Sequence, residues 1–200
     1  MSLPSGWSWA GRTFLALDFE TTGLDPARDR VVEIGALRFA AAWGEGGPSF
    51  REEGALSALV DPGMPMPPAA RGIHGISDED LAGAPPFAAA APALLALCEG
   101  AVIVAHNALF DLSFLRAELA RAGLPLPRNA PLDTRNLARE AFPGAGSYRL
   151  GALSAMLGID GGRAHRALDD ARTCMLLLAA CARAGSARVS AGTPAGTARG

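Results

Sequence analysis

Lysine and glutamine are absent from the sequence, and all 18 basic residues among its 200 positions are arginine. An arginine at a given position therefore carries no information about a preference for guanidinium over ammonium. The formal net charge is only -2, because 20 acidic residues offset the arginines. This charge excludes a histone-like or polybasic protein whose affinity for nucleic acid comes from bulk positive charge.

Cysteine is scarce as well. The three cysteines, Cys98, Cys174 and Cys181, cannot all pair within one chain, and none has the Cys-x-x-Cys spacing of a zinc or redox motif. Cys174 and Cys181 fall on one expected helix, where small thiols commonly pack as apolar side chains. We therefore expect core residues, which excludes a disulfide framework or a redox centre.

Long uninterrupted apolar segments are also missing. The longest apolar runs, such as FAAAAPALLAL at residues 87–97, are interrupted by proline or are too short to cross a bilayer. The first residues lack a basic region followed by an apolar stretch, which a signal peptide would have. These absences predict a soluble cytoplasmic protein with no membrane contact.

The sequence does contain enough apolar material for one domain, because 50% of its residues are hydrophobic. Alternation and turn residues predict strands at 14–20, 30–39, 55–60 and 101–107, with a loop or strand-edge excursion at 41–54. Helical spacing predicts helices at 87–99, 107–122, 134–142, 148–157 and 166–184. Asn107 is the expected N-cap of the second helix.

This order of elements indicates an α/β domain with a mixed sheet. We place the domain at residues 12–184. A flexible leader is expected at 1–11, and a disordered tail at 185–200, because that segment is small, polar and without periodicity.

The segment FLALDFETTGLD, residues 14–25, has the pattern of a buried strand but carries two carboxylates. Side chains alternate along a strand, so Asp18 and Glu20 share one face with Phe14 and Ala16. A solvated strand end is the alternative for the pair alone. The functional interpretation is favoured because the strand is otherwise apolar and leads into a turn of small residues, which can bring N–H groups near a ligand.

Two helices carry further acids on inward faces. Asp111 has Phe114 and Leu115 as its i+3 and i+4 neighbours, so it lies on an apolar face where an unpaired charge is costly. A local cap or a pairing with Arg116 is the alternative for Asp111.

The last helix offers two neighbouring aspartates. Asp170 shares a face with Cys174 and Leu177, so it is predicted to be the inward member of the pair. Asp169 neighbours Arg172, and we expect it to be the solvated partner of that arginine.

The four inward acids are Asp18, Glu20, Asp111 and Asp170. Such a set cannot stay ionised in a partly buried pocket without cations, because like charges raise one another's pKa. Oxygen ligands without cysteine favour Mg²⁺ or Mn²⁺, and two such ions are the usual arrangement for phosphodiester hydrolysis. His165 precedes Asp170 and is the candidate general base, with an isolated surface histidine as the alternative.

Three motifs carry a resemblance to a known family. They are LDFETTGLD at 17–25, HNALFDLSFL at 106–115 and HRALDDA at 165–171. In this order they resemble the DEDDh, or DnaQ-like, 3′–5′ exonucleases, and the similarity is greatest to the epsilon proofreading subunit of bacterial DNA polymerase III and its stand-alone relatives. Two lesser stretches, 71–87 and 132–144, are also similar to that family, so the predicted domain is an exonuclease domain.

The resemblance implies an RNase H-like fold: a five-stranded mixed sheet, its first three strands antiparallel, flanked by helices. It implies hydrolysis of phosphodiester bonds at single-stranded DNA or RNA 3′ ends, with two Mg²⁺ or Mn²⁺ ions and release of nucleoside 5′-monophosphates. Carried over by position, the four acids are the metal ligands and His165 takes the proton from the attacking water.

By the same resemblance, the substrate contacts are Thr21, Thr22, His74, Asn107 and Phe110. The threonines would lie near the terminal nucleotide, Asn107 and Phe110 would contact or wedge the last bases, and His74 would line the pocket. Two alternatives stay open, a core role for Phe110 and a turn hydrogen bond for His74. His106 is expected to be structural.

A DNA polymerase catalytic subunit is a further partner that the resemblance implies. The alternative functions on this fold are a non-catalytic nucleic-acid-binding module and a replisome interaction subunit. Loss of a motif acid would mark the binding module, yet all the acids are present.

Overall fold

Five strands form one mixed sheet in the computed structural model, which describes residues 11–44 and 47–192. The strands are β1 Thr13–Thr21, β2 Val31–Gly44, β3 Gly47–Leu59, β4 Val102–Ala105 and β5 Pro131–Asp133. The helices of the described residues are α1 Pro68–His74, α2 Phe87–Cys98, α3 Ala108–Arg121, α4 Thr134–Ala141, α5 Leu150–Leu157 and α6 Ala167–Gly192. The predicted α/β class and five-stranded mixed sheet are confirmed.

β1 is the central strand, and the strand order is β3-β2-β1-β4-β5. It pairs antiparallel with β2 and parallel with β4, while β2 pairs antiparallel with β3. The first three strands are thus antiparallel, as the resemblance implied. Because β1 and β4 run in the same direction, the residues at their carboxyl-terminal ends meet at one edge of the sheet, where ligands of open α/β sheets commonly bind.

Helices cover both faces of the sheet and define two apolar cores. On one face Phe14 packs with α4, α5 and α6 and stacks on Phe39, with ring centroids 5.4 Å apart. On the other face Leu15 and Leu17 pack against α2 and α3. Each of these fully buried side chains stabilises the fold by about 1.5–3 kcal/mol. The alternation of β1 therefore places Asp18 on the face that α6 covers.

Three strands differ from the sequence prediction. Residues 41–54 are largely paired rather than looped, because β2 and β3 continue as a hairpin to Gly44 and Gly47. Phe50 supports this extension by packing on Phe39, with ring centroids 4.9 Å apart. β5 is only three residues long, and a pattern of that length cannot be recognised in the sequence.

α6 is longer than predicted. It runs to Gly192, so residues 185–192 of the expected tail are helical, which their alanines and arginine permit. Residues 193–200 of that tail and 1–10 of the expected leader lie outside the described residues. The domain limits at 12 and 184 stay predictions. Within the described residues no helix combines the length and the apolar character needed to span a bilayer.

Candidate active site

The four predicted acids lie close together at the carboxyl-terminal end of β1. Burial raises the pKa of Asp18 well above its usual value, and the charges of Asp111, Asp170 and Glu20 raise it further. Each of these carboxylates is therefore near enough to Asp18 to oppose its ionisation. The structure thus assembles from three separate elements the set that the sequence predicts.

Asp111 is deeply buried, with 3% of its surface exposed. It lies in the first turn of α3, and its Oδ1 accepts the N–H of Phe19 at 3.1 Å. This contact joins α3 to the central strand, in place of the local pairing with Arg116 that was the alternative. Burial raises the pKa of Asp111, although the hydrogen bond from Phe19 opposes the shift.

Glu20, His165 and Asp170 form the tightest group in the site. One potential ligand atom from each lies within 4.8 Å of the others. Burial, together with the charges of Asp170 and Glu33, raises the pKa of Glu20 to about 7. Burial also raises the pKa of Asp170. Two carboxylates and an imidazole that converge in this way can share one cation.

His165 is exposed and has a left-handed backbone, with φ of 61°. Its N–H donates to Asp170 Oδ2 at 2.9 Å, so the loop before α6 folds back onto the first turn of the helix. His165 and Asp170 also line a cleft of about 620 Å³, which continues along residues of α4 and α5. The imidazole is therefore open to solvent beside the acids.

Asp169 is engaged elsewhere. Arg172 Nη1 lies 3.6 Å from its Oδ1, and its Oδ2 accepts the N–H of Arg163 at 2.9 Å. As the sequence predicts, Asp170 is the aspartate that joins the acid cluster and Asp169 is the partner of Arg172.

Sequence reasoning misses a further carboxylate, Glu33 on β2. It is opposite Glu20 in the sheet register and is 1% exposed. Arg166 Nη2 lies 2.7 Å from Glu33 Oε1, and the N–H of Ala167 donates to Oε2 at 3.1 Å. Glu33 therefore fastens the start of α6, directly after His165, to the sheet. The available signal was a lone acid in the apolar strand VVEIG.

The two threonines after Glu20 organise the turn that follows β1. Thr21 Oγ1 donates to the carbonyl of Gly23 at 2.6 Å. Thr22 Oγ1 is 3.2 Å from Asp29 Oδ1, to which it donates, and it accepts the N–H of residue 30 at 3.0 Å. Both side chains are buried, and both hydroxyl groups are bonded within the turn.

The start of α3 is bonded by the Asp133 carboxylate rather than by the Asn107 side chain. Asn107 holds the N-cap position of α3, as predicted, but its backbone is left-handed with φ of 73° and its side chain makes no capping hydrogen bond. The Asp133 carboxylate accepts the N–H groups of Asn107 at 3.2 Å, Ala108 at 3.1 Å and Arg135 at 2.9 Å. The exposed Asn107 side chain lines the cleft instead.

His106 has the structural role that the sequence predicts. Its Nδ1 is 3.0 Å from Thr134 Oγ1, and its Nε2 donates to the carbonyl of Tyr148 at 2.9 Å. Burial lowers its pKa. The neutral ring therefore joins the end of β4 to α4 and to the loop before α5.

His74 is buried at the end of α1. Its Nδ1 accepts the N–H of Ile76 at 3.0 Å, which is the turn hydrogen bond of the alternative interpretation. Its Nε2 has no partner of good hydrogen-bond geometry among the described residues, although the Thr21 backbone is near. Burial lowers the pKa of His74, and His165 is close enough to lower it further. Such an unsatisfied nitrogen is available to a ligand.

Phe110 is partly buried and packs on Phe114, with ring centroids 4.9 Å apart. One part of its ring therefore belongs to the core, and the exposed part is free to contact a ligand.

The cysteines are core residues, as predicted. All three are buried and free. Burial raises the pKa of Cys98 to about 11 and that of Cys181 to about 12, so both stay protonated at neutral pH. The donors of the site are therefore carboxylate oxygens and one imidazole, a set that fits hard divalent cations.

The acid cluster should destabilise the protein when no cation is bound. A carboxyl whose pKa is raised in the folded state binds more protons than in the unfolded state, so stability falls as the pH rises from about 4 towards the folded pKa. We expect Asp111→Asn, which can still accept the Phe19 N–H, to raise the free energy of unfolding at pH 8 in EDTA by about 1–3 kcal/mol.

Thermal unfolding with and without Mn²⁺ measures this effect. The wild type should gain more stability from Mn²⁺ than Asp111→Asn does, and Asp169→Asn should behave like the wild type. A less stable Asp111→Asn in EDTA would contradict the electrostatic account.

Known proteins are similar to this chain in sequence and in fold. An exonuclease family model matches residues 15–178. The DNA polymerase III subunit epsilon of Treponema pallidum is 38% identical over 169 residues, which cover 82% of this chain and 74% of that protein. Exonuclease X in complex with 5′ overhanging duplex DNA is 28% identical, with a TM-score of 0.59 over 90% of this chain and 94% of that one.

Escherichia coli exonuclease I in complex with a dT13 oligonucleotide has the same fold, with a TM-score of 0.70 at 23% identity. The match covers 89% of this chain but only 43% of exonuclease I. The family match spans all three motifs and every residue of the acid cluster. The chain therefore belongs to the exonuclease family, and within it to the DnaQ-like 3′–5′ exonucleases.

Proposed function

We propose that this exonuclease removes nucleotides one at a time from single-stranded 3′ ends and releases nucleoside 5′-monophosphates. The observation that carries the proposal is the convergence of four carboxylates and an exposed histidine at one edge of the sheet. A binding module would have no need of a destabilising acid cluster, so the non-catalytic alternative is not favoured.

The four acids would hold two divalent ions, which we propose to be Mg²⁺ or Mn²⁺. Such ions polarise the phosphate and stabilise the charge that develops during in-line displacement. The protein contributes rigid positions for the ligands. Asp111 is fixed by the Phe19 N–H and Asp170 by the His165 N–H, so neither carboxylate has to reorganise to bind an ion.

His165 is proposed to take the proton from the attacking water. It is one of three histidines, and the other two are unsuited, because His106 uses both ring nitrogens within the fold and His74 is buried. The exposure of His165 and its distance from Glu20 and Asp170 allow it to accept a proton beside the phosphate.

The terminal nucleotide would lie between the turn after β1 and the start of α3. We propose contacts from the Thr21 backbone, the His74 Nε2, the Asn107 amide and the exposed part of Phe110. Thr22 would act by holding the turn, because its hydroxyl is already bonded there.

Shortening of 5′-labelled single-stranded DNA and RNA tests the proposed activity. With Mg²⁺ or Mn²⁺ we expect a ladder that recedes from the 3′ end and nucleoside 5′-monophosphates as products, and EDTA should stop the reaction. Binding without shortening would overturn the proposal in favour of the non-catalytic module. Parallel rates on DNA and RNA of one sequence identify the substrate class.

A polymerase catalytic subunit is a proposed partner, because the Treponema relative is named as a polymerase subunit. Co-purification of such a subunit with the protein would support this proposal, and recovery of the protein alone would count against it. A cytoplasmic location stays a prediction.

A further inference from the structure

Two arginines line the cleft beside the acid cluster. Arg135 on α4 and Arg149, just before α5, share the cleft of about 620 Å³ with His165 and Asp170. Neither guanidinium forms an ion pair within the described residues. In contrast, the guanidinium groups of Arg30, Arg121, Arg166 and Arg172 contact carboxylates within 4.0 Å.

Most other polar groups of the cleft are used by the fold. The Tyr148 hydroxyl donates to the carbonyl of Phe142 at 2.9 Å, and Arg139 lies over the Tyr148 ring at 5.5 Å from its centroid. Both ring nitrogens of His106 are bonded. Among the described residues that line the cleft, and apart from His165 and Asp170, the groups left to meet a ligand are the two guanidiniums and the amide of Asn107.

The rest of the lining suits a polymer backbone. Gly151, Ala152 and Ala164 are small, so a chain can approach the wall closely. The cleft reaches the site at His165 and Asp170, where the bond to be cleaved would lie. Two unpaired positive charges along such a path match the phosphates of a strand, which carry one negative charge per nucleotide.

We propose that this cleft carries the strand on the 5′ side of the cleaved bond, with Arg135 and Arg149 contacting the phosphates of successive nucleotides. The inference rests on the proposed exonuclease function and names the path of its substrate. The contacts are to phosphate, so the grip is independent of base sequence. Since the sequence has no lysine, the arginines at these two positions are not evidence for a requirement for guanidinium geometry. We expect a positive charge at each position to be sufficient.

Two substrates of different length test the path. A single-stranded DNA of about ten nucleotides fills a site of the usual size for single-strand binding, whereas the p-nitrophenyl ester of thymidine 5′-monophosphate has no upstream phosphate. For Arg135→Ala and Arg149→Ala we expect the KM of the longer substrate to rise by about tenfold each. The kcat/KM of the single-nucleotide ester should stay at the wild-type value, which also shows that the variants are folded.

The salt dependence of binding and the affinity of Arg→Lys variants test the same two contacts. The slope of log affinity against log salt is negative, and each Ala variant should make it shallower by about 0.7, the value for one phosphate contact on a single strand. Arg135→Lys and Arg149→Lys should restore most of the affinity. Arg128→Ala is the matched control, because Arg128 is exposed and lines a different cleft, beside the segment that precedes β4.

Anisotropy of the labelled strand in EDTA measures the same contacts without catalysis. Weaker binding by both Ala variants, but not by Arg128→Ala, would support the proposal even if the wild type did not hydrolyse the strand. Unchanged binding, or equal losses on the long and the single-nucleotide substrates, would overturn it.

Discussion

Asp170→Asn should lower the kcat for strand shortening by about 10³-fold or more, because removal of one charge that we propose to hold the cations forfeits several kcal/mol of transition-state stabilisation. Asparagine has nearly the same shape, and its oxygen can still accept the N–H of His165 that Asp170 Oδ2 accepts at 2.9 Å. The loss of activity would therefore reflect the missing negative charge and not a change in the loop that contains His165. Single-turnover rates at saturating Mg²⁺ measure it.

Asp169→Asn is the matched control for this prediction. Asp169 is the adjacent residue on the same helix, but it pairs with Arg172 and is absent from the group formed by Glu20, His165 and Asp170. We expect its kcat to stay within about threefold of the wild-type value, as for an exposed pair worth less than about 1 kcal/mol. Equal losses in the two variants would contradict the assignment of Asp170.

Gly35→Ala should have the second largest effect, because α6 lies directly on the backbone of β2 at that residue. A Cβ on Gly35 would overlap the backbone of Ala167 and Leu168. Gly35 is also the register partner of Asp18. We expect the variant to lose about 1–3 kcal/mol of stability through overpacking and about 10²-fold in kcat through displacement of the start of α6.

Gly72→Ala separates this effect from a general cost of alanine. A Cβ at Gly72, on α1, would meet no atom within 4 Å. It should therefore leave the kcat unchanged and raise the urea midpoint slightly, because alanine is favoured over glycine inside a helix by about 0.5–1 kcal/mol. Wild-type activity in a folded Gly35→Ala protein would show that the contact between α6 and β2 does not position the site.

The acids were predictable because each lies on a face defined by its immediate neighbours. Two-residue alternation places Asp18 and Glu20 on one side of β1, and helical spacing selects Asp170 over Asp169. Apolar neighbours at i+3 and i+4 predict that Asp111 is buried, and the structure has it bonded to Phe19. Local periodicity was therefore sufficient to place the four acids.

The groups that hold the acid cluster in place were not predictable from local patterns. The contact between Glu33 and Arg166 joins residues 133 positions apart, and Asp133 reaches back 26 positions to the N–H of Asn107. No sequence period links such pairs, because only the strand order brings them together. The missing side-chain bond of Asn107 was equally unforeseen, because its left-handed backbone and the carboxylate that accepts its N–H are both features of the folded chain.

The unpaired arginines were also beyond sequence reasoning. Arg135 and Arg149 become informative only when the folded cleft shows them beside His165, with no carboxylate partner in the part of the chain that the structure describes. In the sequence they resemble the other arginines of a chain that has no lysine.

Titration of Mn²⁺ into the metal-free protein at pH 8, followed by electron paramagnetic resonance of the free ion, tests most directly whether the clustered acids hold cations. The wild type should bind two ions per chain, the number proposed for phosphodiester hydrolysis of this kind, and Asp18→Asn should bind fewer ions or bind them at least about tenfold more weakly. No saturable binding by the wild type, or identical binding curves for the wild type and Asp18→Asn, would contradict the proposal that the clustered acids hold cations.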